Sequence, residues 1–294
     1  MSAIQSLRTA IDALSRNTVL LVGGLVYALV LLPQRALQLA GVPLAPTLLQ
    51  LLTFFVTPFV LAGVIGMARE ALDGDASLDS LTRVGKTRYV DLLLGTLVEF
   101  AIQLVFGIGI VILALVVALG GAAAGTAGPA VLVGIALIAL LTLGYLIVLF
   151  AIQFYPVAIV ADDVGPVDGI TESVGFVRSN VLSTLGYTLV TVVLGGLASL
   201  PVTGFVAYRS VTSGLGSMDG EPPVGGGGNA PPPETLDALA GGLSLGLSTP
   251  EIVVLSLVSL VTTALFFAFR QTYATAFYER NGRTVEERVL GEDL

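Results

Sequence analysis

Six long apolar runs, at residues 18–40, 47–68, 92–119, 130–152, 183–207 and 252–269, leave this 294-residue chain little choice of fold. Each is close to or beyond the roughly 20 residues that a helix needs to cross a bilayer. In hydrocarbon every backbone N–H and C=O must be satisfied within the chain, and a helix does so inside a single segment. Only 12% of the residues are charged and 55% are hydrophobic. A water-soluble domain carries about twice that charged share, so one core inside a polar shell is excluded. The sequence predicts an all-α, polytopic membrane helix bundle, one membrane domain over residues 1–294, with six transmembrane helices and amphipathic cytoplasmic interfacial helices. Pro33 and Pro58 are expected to kink the first two spans, and Gly107 and Gly109 to let the long third one bend.

The cations set the expected orientation, because Lys- and Arg-rich loops stay cytoplasmic. Arg8, Arg16, Arg69, Arg83, Lys86, Arg88, Arg178, Arg270, Arg280, Arg283 and Arg288 fall on one side, leaving Arg35 and Arg209 opposite. Both termini are therefore expected in the cytoplasm of a multi-pass cell-membrane protein. Arg8 and Arg16 precede the first apolar run as in a signal peptide, but no small-x-small cleavage site follows cleanly, so that run is read as a retained helix.

Acidic residues outnumber basic ones 21 to 13, and Lys86 is the lone lysine. An acidic, Lys-poor surface suits concentrated salt, which screens repulsion among carboxylates, so a halophilic archaeon is the expected source. Nucleic acid is not an expected partner, since phosphate binding needs clustered cations. The expected partners are the lipid bilayer and another membrane protein, with any small-molecule ligand unspecified.

Residues 212–250 hold Gly225–Gly228 and Pro231–Pro233 and read as a flexible external loop, with Leu236, Leu239 and Leu243 spaced for a short surface helix. Ser248-Thr249-Pro250-Glu251 supplies the signals that start the last helix. Three cytoplasmic segments look amphipathic: Ile4, Leu7, Ile11 and Leu14 before the first span, Leu78, Leu81 and Val84 before the third, and Val167, Ile170, Val174 and Val177 before the fifth. The expected architecture is three units, each an interfacial helix followed by a transmembrane hairpin.

Ala36–Leu39 after the Pro-broken first helix, the run Gly66-Met67-Ala68-Arg69-Glu70-Ala71-Leu72-Asp73-Gly74, Phe150–Tyr155 with its Gln-Phe-Tyr core, and Val177–Tyr187 carry a resemblance. Over nearly its whole length the chain resembles an uncharacterised haloarchaeal multi-pass membrane family. More distantly, Asp163–Gly186 is similar to the membrane domain attached to some glycerophosphodiester phosphodiesterases. The resemblance implies six helices and no established activity. No residue of the His-dependent phosphodiesterase site carries over, because the chain has no His.

The absence of His and Cys removes disulfides, imidazole or thiolate metal sites, and Ser-His or Cys-His relays. The glycine pairs Gly107/Gly109 and Gly214/Gly216 follow no strand and lack the Lys-Ser or Lys-Thr of a phosphate loop. No enzyme, catalytic residue, cofactor or metal is expected. The acids Asp162, Asp163, Asp168 and Glu172 read as a solvated face, with Asp168 or Thr171 capping a helix.

One polar layer stands out. Glu99 is the only carboxylate well inside a span, about 12 Å along its helix from Asp91, with Gln103 one turn further on the same face. Gln153, Tyr187 and Tyr27 reach similar depths. These five residues form the candidate binding site, either for a small ligand, proton or lipid head group, or as glue in which Glu99 bonds Gln153 or Tyr187. The leading expectation is a non-enzymatic accessory or scaffold protein. The alternative is a small-molecule transporter or lipid-handling protein using the Glu99 layer. A water-accessible cavity reaching Glu99 would separate the second from the first.

Overall fold

A computed structural model describes residues 3–42, 44–124, 128–212 and 247–291. Among them the chain is helical without strands: α1 (Ala3–Arg16), α2 (Val19–Leu39), α3 (Ala45–Asp73), α4 (Leu78–Thr87), α5 (Tyr89–Ala124), α6 (Pro129–Ile152), α7 (Tyr155–Ala161), α8 (Pro166–Ser179), α9 (Val181–Thr212) and α10 (Thr249–Gly291). Six helical stretches, with α6 and α7 counted as one, are long and apolar enough to cross a membrane, and they coincide with the six predicted runs. The short helices α1, α4 and α8 precede the hairpins α2–α3, α5–α6 and α9–α10, in the predicted order. The expectations for the external loop, including Leu236, Leu239, Leu243, Gly214 and Gly216, lie outside the described residues.

Helices α2, α3 and α10 form the centre of the bundle. The closest approach is at Gly24, where a Cβ would overlap the Ala264 carbonyl oxygen. Small residues at such crossings let two backbones touch, which is how helices gain dispersion contacts in lipid. Pro33 and Pro58 sit inside α2 and α3, which continue through them. Helices α5 and α6 pair with each other, and beyond Gln103 expose Val105, Val111, Leu115, Leu132 and Leu140, a surface suited to acyl chains.

The most buried side chains gather at the end where α1 packs on α10 around Tyr273 and Arg280. Tyr273 donates to the Ala3 carbonyl at 3.1 Å, and Arg280 donates to Thr9 Oγ1 at 2.6 Å, joining α10 to α1. Arg69 pairs with Glu279 at 3.0 Å and donates to the Val160 carbonyl, tying α3 to α10 and α7. Asn17 accepts from Ala76 N at 2.9 Å and donates to the Gly74 carbonyl, so the α1–α2 junction clasps the α3–α4 loop.

The short helices pack on the bundle mainly through their small residues. Helix α1 buries Ala3, Ser6, Ala10 and Ala13 and leaves Ile4 and Ile11 exposed. Helix α8 buries Gly169, Ser173, Phe176 and Val177 and exposes Val167. The small residues allow the close approach, as at Gly169, where a Cβ would lie 2.5 Å from Ile159. The large apolar ones are left for the surroundings, because lipid accepts them as readily as protein does. Neither Asp168 nor Thr171 caps α8: Gly165 holds the N-cap position, Pro166 follows, and Thr171 bonds the Val167 carbonyl. The start of α10 does match its signals, with Ser248 N and Oγ each 2.7 Å from Glu251 Oε2.

Candidate functional site

The predicted layer opens onto a real cavity. A space of about 350 Å³ lies among α2, α3, α5, α6, α7, α9 and α10, lined by Glu99, Gln153, Tyr155, Tyr187, Tyr27 and Arg270 among others. Four of the five predicted residues line it. The fifth, Gln103, does not, but its amide donates to Glu99 Oε1 at 3.2 Å, the one-turn contact expected from i and i+4 spacing.

Glu99 finds a different partner from the two expected. The Tyr155 hydroxyl donates to Glu99 Oε2 at 2.9 Å and lies 3.4 Å from Thr96 Oγ1. Gln153 instead accepts from Thr188 at 3.2 Å and donates to the Phe150 carbonyl. The cause is a break in the helix: Gln153 and Phe154 form a turn between α6 and α7, which swings Tyr155 toward α5. Ser173 seals that break, accepting from Phe154 N at 3.1 Å and donating to the Ala151 carbonyl at 2.9 Å. Each of these bonds stabilises helix association by roughly 1 kcal/mol.

Arg270 is the residue that sequence reasoning placed elsewhere. It follows the last apolar run directly and was assigned to the cytoplasmic cations, but α10 runs on without a break and carries it into the cavity wall beside the Tyr187 hydroxyl. Glu99 and Arg270 thus line the same space, and among the described residues no ion pair joins them. A carboxylate at the centre of a bilayer costs about 2.5–3.5 kcal/mol on insertion scales. Glu99 is half-buried with only neutral hydrogen-bond donors.

The acids expected to form a solvated face are more organised than that. Asp163 pairs with Arg88, and Tyr278 donates to Asp162 Oδ2 at 2.5 Å. Glu172 faces Asp162, and its Oε2 is buried without a partner. Burial and the neighbouring Asp162 and Asp168 carboxylates push the Glu172 carboxyl up to about 7. A raised carboxyl favours the protonated form in the folded state, so its contribution is complete below the ordinary value of 4.5 and is lost as pH rises through about 7. The Glu172→Gln variant, which mimics the protonated form, is therefore expected to match the parent at the acid end and to melt at a higher temperature than the parent above neutrality. Melting curves across that range check this, and a difference that does not change with pH would contradict it.

Six helical stretches long and apolar enough to cross a membrane, around a cavity lined by both a carboxylate and a guanidinium, fit a multi-pass membrane protein. The chain belongs to the family described as a domain of unknown function, DUF7847, whose model matches residues 1–281. No curated protein and no solved structure matches it.

Proposed function

We propose that this is a non-enzymatic cell-membrane protein that binds a small zwitterionic group, a free solute or a lipid head group, between Glu99 and Arg270. The observation that carries this reading is the shared cavity with a carboxylate and a guanidinium on its wall and no ion pair between them. Its volume of about 350 Å³ falls within the usual range for small-ligand pockets, about 300–1,000 Å³. A scaffold protein needs only a sealed bundle, so the cavity favours the transporter or lipid-handling alternative over the accessory role. Both termini lie in the cytoplasm on this reading, which follows from the excess of cations at their end. The acidic, Lys-poor composition supports a halophilic archaeal source, and the Asp163–Gly186 likeness supports a distant kinship with phosphodiesterase-linked membrane domains.

The test exploits the lack of native Cys. Thr57→Cys, on the cavity wall, is expected to react with a charged, water-soluble thiol reagent, while Leu140→Cys, on the exposed face of α6, stays unmodified in a bilayer. An inert Thr57→Cys would mean a sealed bundle and would return the balance to a scaffold.

A further inference from the structure

Two aromatic rings stand where α2 crosses α10. The backbones touch at Gly24 and Ala264, and one turn further along each helix Tyr27 and Phe267 stack with centroids 3.7 Å apart and planes 12° from parallel. On one side the pair borders the cavity that holds Glu99. On the other it borders a second cavity of about 260 Å³ between α2, α9 and α10.

The second cavity differs in chemistry from the first. Arg35 and Arg270 line it, together with hydroxyls from Ser199, Thr203, Ser259 and Thr263, and no carboxylate is among its lining residues. Arg35 lies about 24 Å along α2 from Val19, and Tyr27 about 12 Å, so this cavity extends away from the termini. Ser259 is 5% exposed, and neither its hydroxyl nor that of Thr263 has a hydrogen-bond partner among the described residues, which leaves both free to donate into the space. Arginine forks with neighbouring hydroxyl donors are suited to a carboxylate or another small anion.

We infer that this second cavity is an anion-binding site, and that the two cavities together form a route for a small zwitterion across the bundle, partitioned by Tyr27 and Phe267. The route rests on the binding role proposed for the Glu99 cavity; the anion site stands on its own lining. Arg270 borders both cavities, so a carboxylate passing the aromatic pair keeps one guanidinium partner while its ammonium end reaches Glu99.

The full chain carrying Ser259→Cys, in proteoliposomes, is treated with anionic sulfonatoethyl methanethiosulfonate and with its cationic trimethylammonioethyl counterpart. After correction for each reagent's rate with a free thiol, the anion is expected to react about tenfold faster, the scale of focusing by a charged cleft. Arg35→Gln should shrink that preference. No reaction, or a rate equal to or below the cation's, would overturn the anion site while leaving the Thr57→Cys result for the inner cavity intact. Gln153→Cys is expected to react only from the side of the termini, and from both sides once Tyr27→Ala or Phe267→Leu is added and the variant is shown to fold. Unchanged sidedness in a folded variant would overturn the route.

Discussion

Truncating Phe154 to Ala is expected to lower the stability of the folded bundle by about 3–5 kcal/mol, the range for removing a fully buried Phe side chain. Phe154 is fully buried in the turn between α6 and α7, with ring centroids 5.0 Å from Tyr187, 5.2 Å from Phe176 and 5.5 Å from Phe277. Those rings come from α9, α8 and α10, so one side chain joins four elements of the terminal end. Cavity formation is not the whole effect. Gln153 and Tyr155 flank Phe154 in sequence and hang from the same turn, so loosening it also releases the Tyr155 hydroxyl from Glu99. Equilibrium unfolding in mixed micelles measures the loss, and a cost below about 1 kcal/mol would show that the cluster does not hold the bundle's end together.

Removing either charge from the inner cavity is expected to weaken ligand binding by about 10- to 100-fold while leaving the fold intact. A hydrogen bond to a charged group is worth about 1.5–3 kcal/mol, and each 1.4 kcal/mol is a factor of ten. Glu99→Gln keeps an oxygen that accepts from the Tyr155 hydroxyl, so the helix contact survives and only the charge is lost. Arg270→Gln removes the opposite end. The double variant should bind little worse than the weaker single variant, because a zwitterion that has lost one anchor is already poorly oriented and the two effects are coupled.

The spans were legible because length and apolarity alone decide whether a segment can live in lipid, and neither depends on what the helix touches. Glu99 and Gln103 were legible for a related reason: i and i+4 on one helix fix their contact locally. The partner of Glu99 was not, because Tyr155 reaches it through the register of two antiparallel helices and a turn that no local residue announces beyond Pro156. Arg270 was misread for the opposite reason. A cation at the edge of an apolar run looks like a loop residue by charge counting, whereas α10 simply continues past it. Which residues of α1 and α8 pack on the bundle was not legible, because hydrophobicity ranks Ile4 and Val167 above Ala10 and Gly169, while close packing between helices favours the smaller pair.

The central claim is that a small zwitterionic group sits between Glu99 and Arg270. Native mass spectrometry of the protein, extracted gently at high salt beside Glu99→Gln and Arg270→Gln, tests it most directly. The account predicts a bound zwitterionic molecule or lipid on the parent that is depleted in both variants. An unoccupied parent, or the same occupancy in all three proteins, would contradict it.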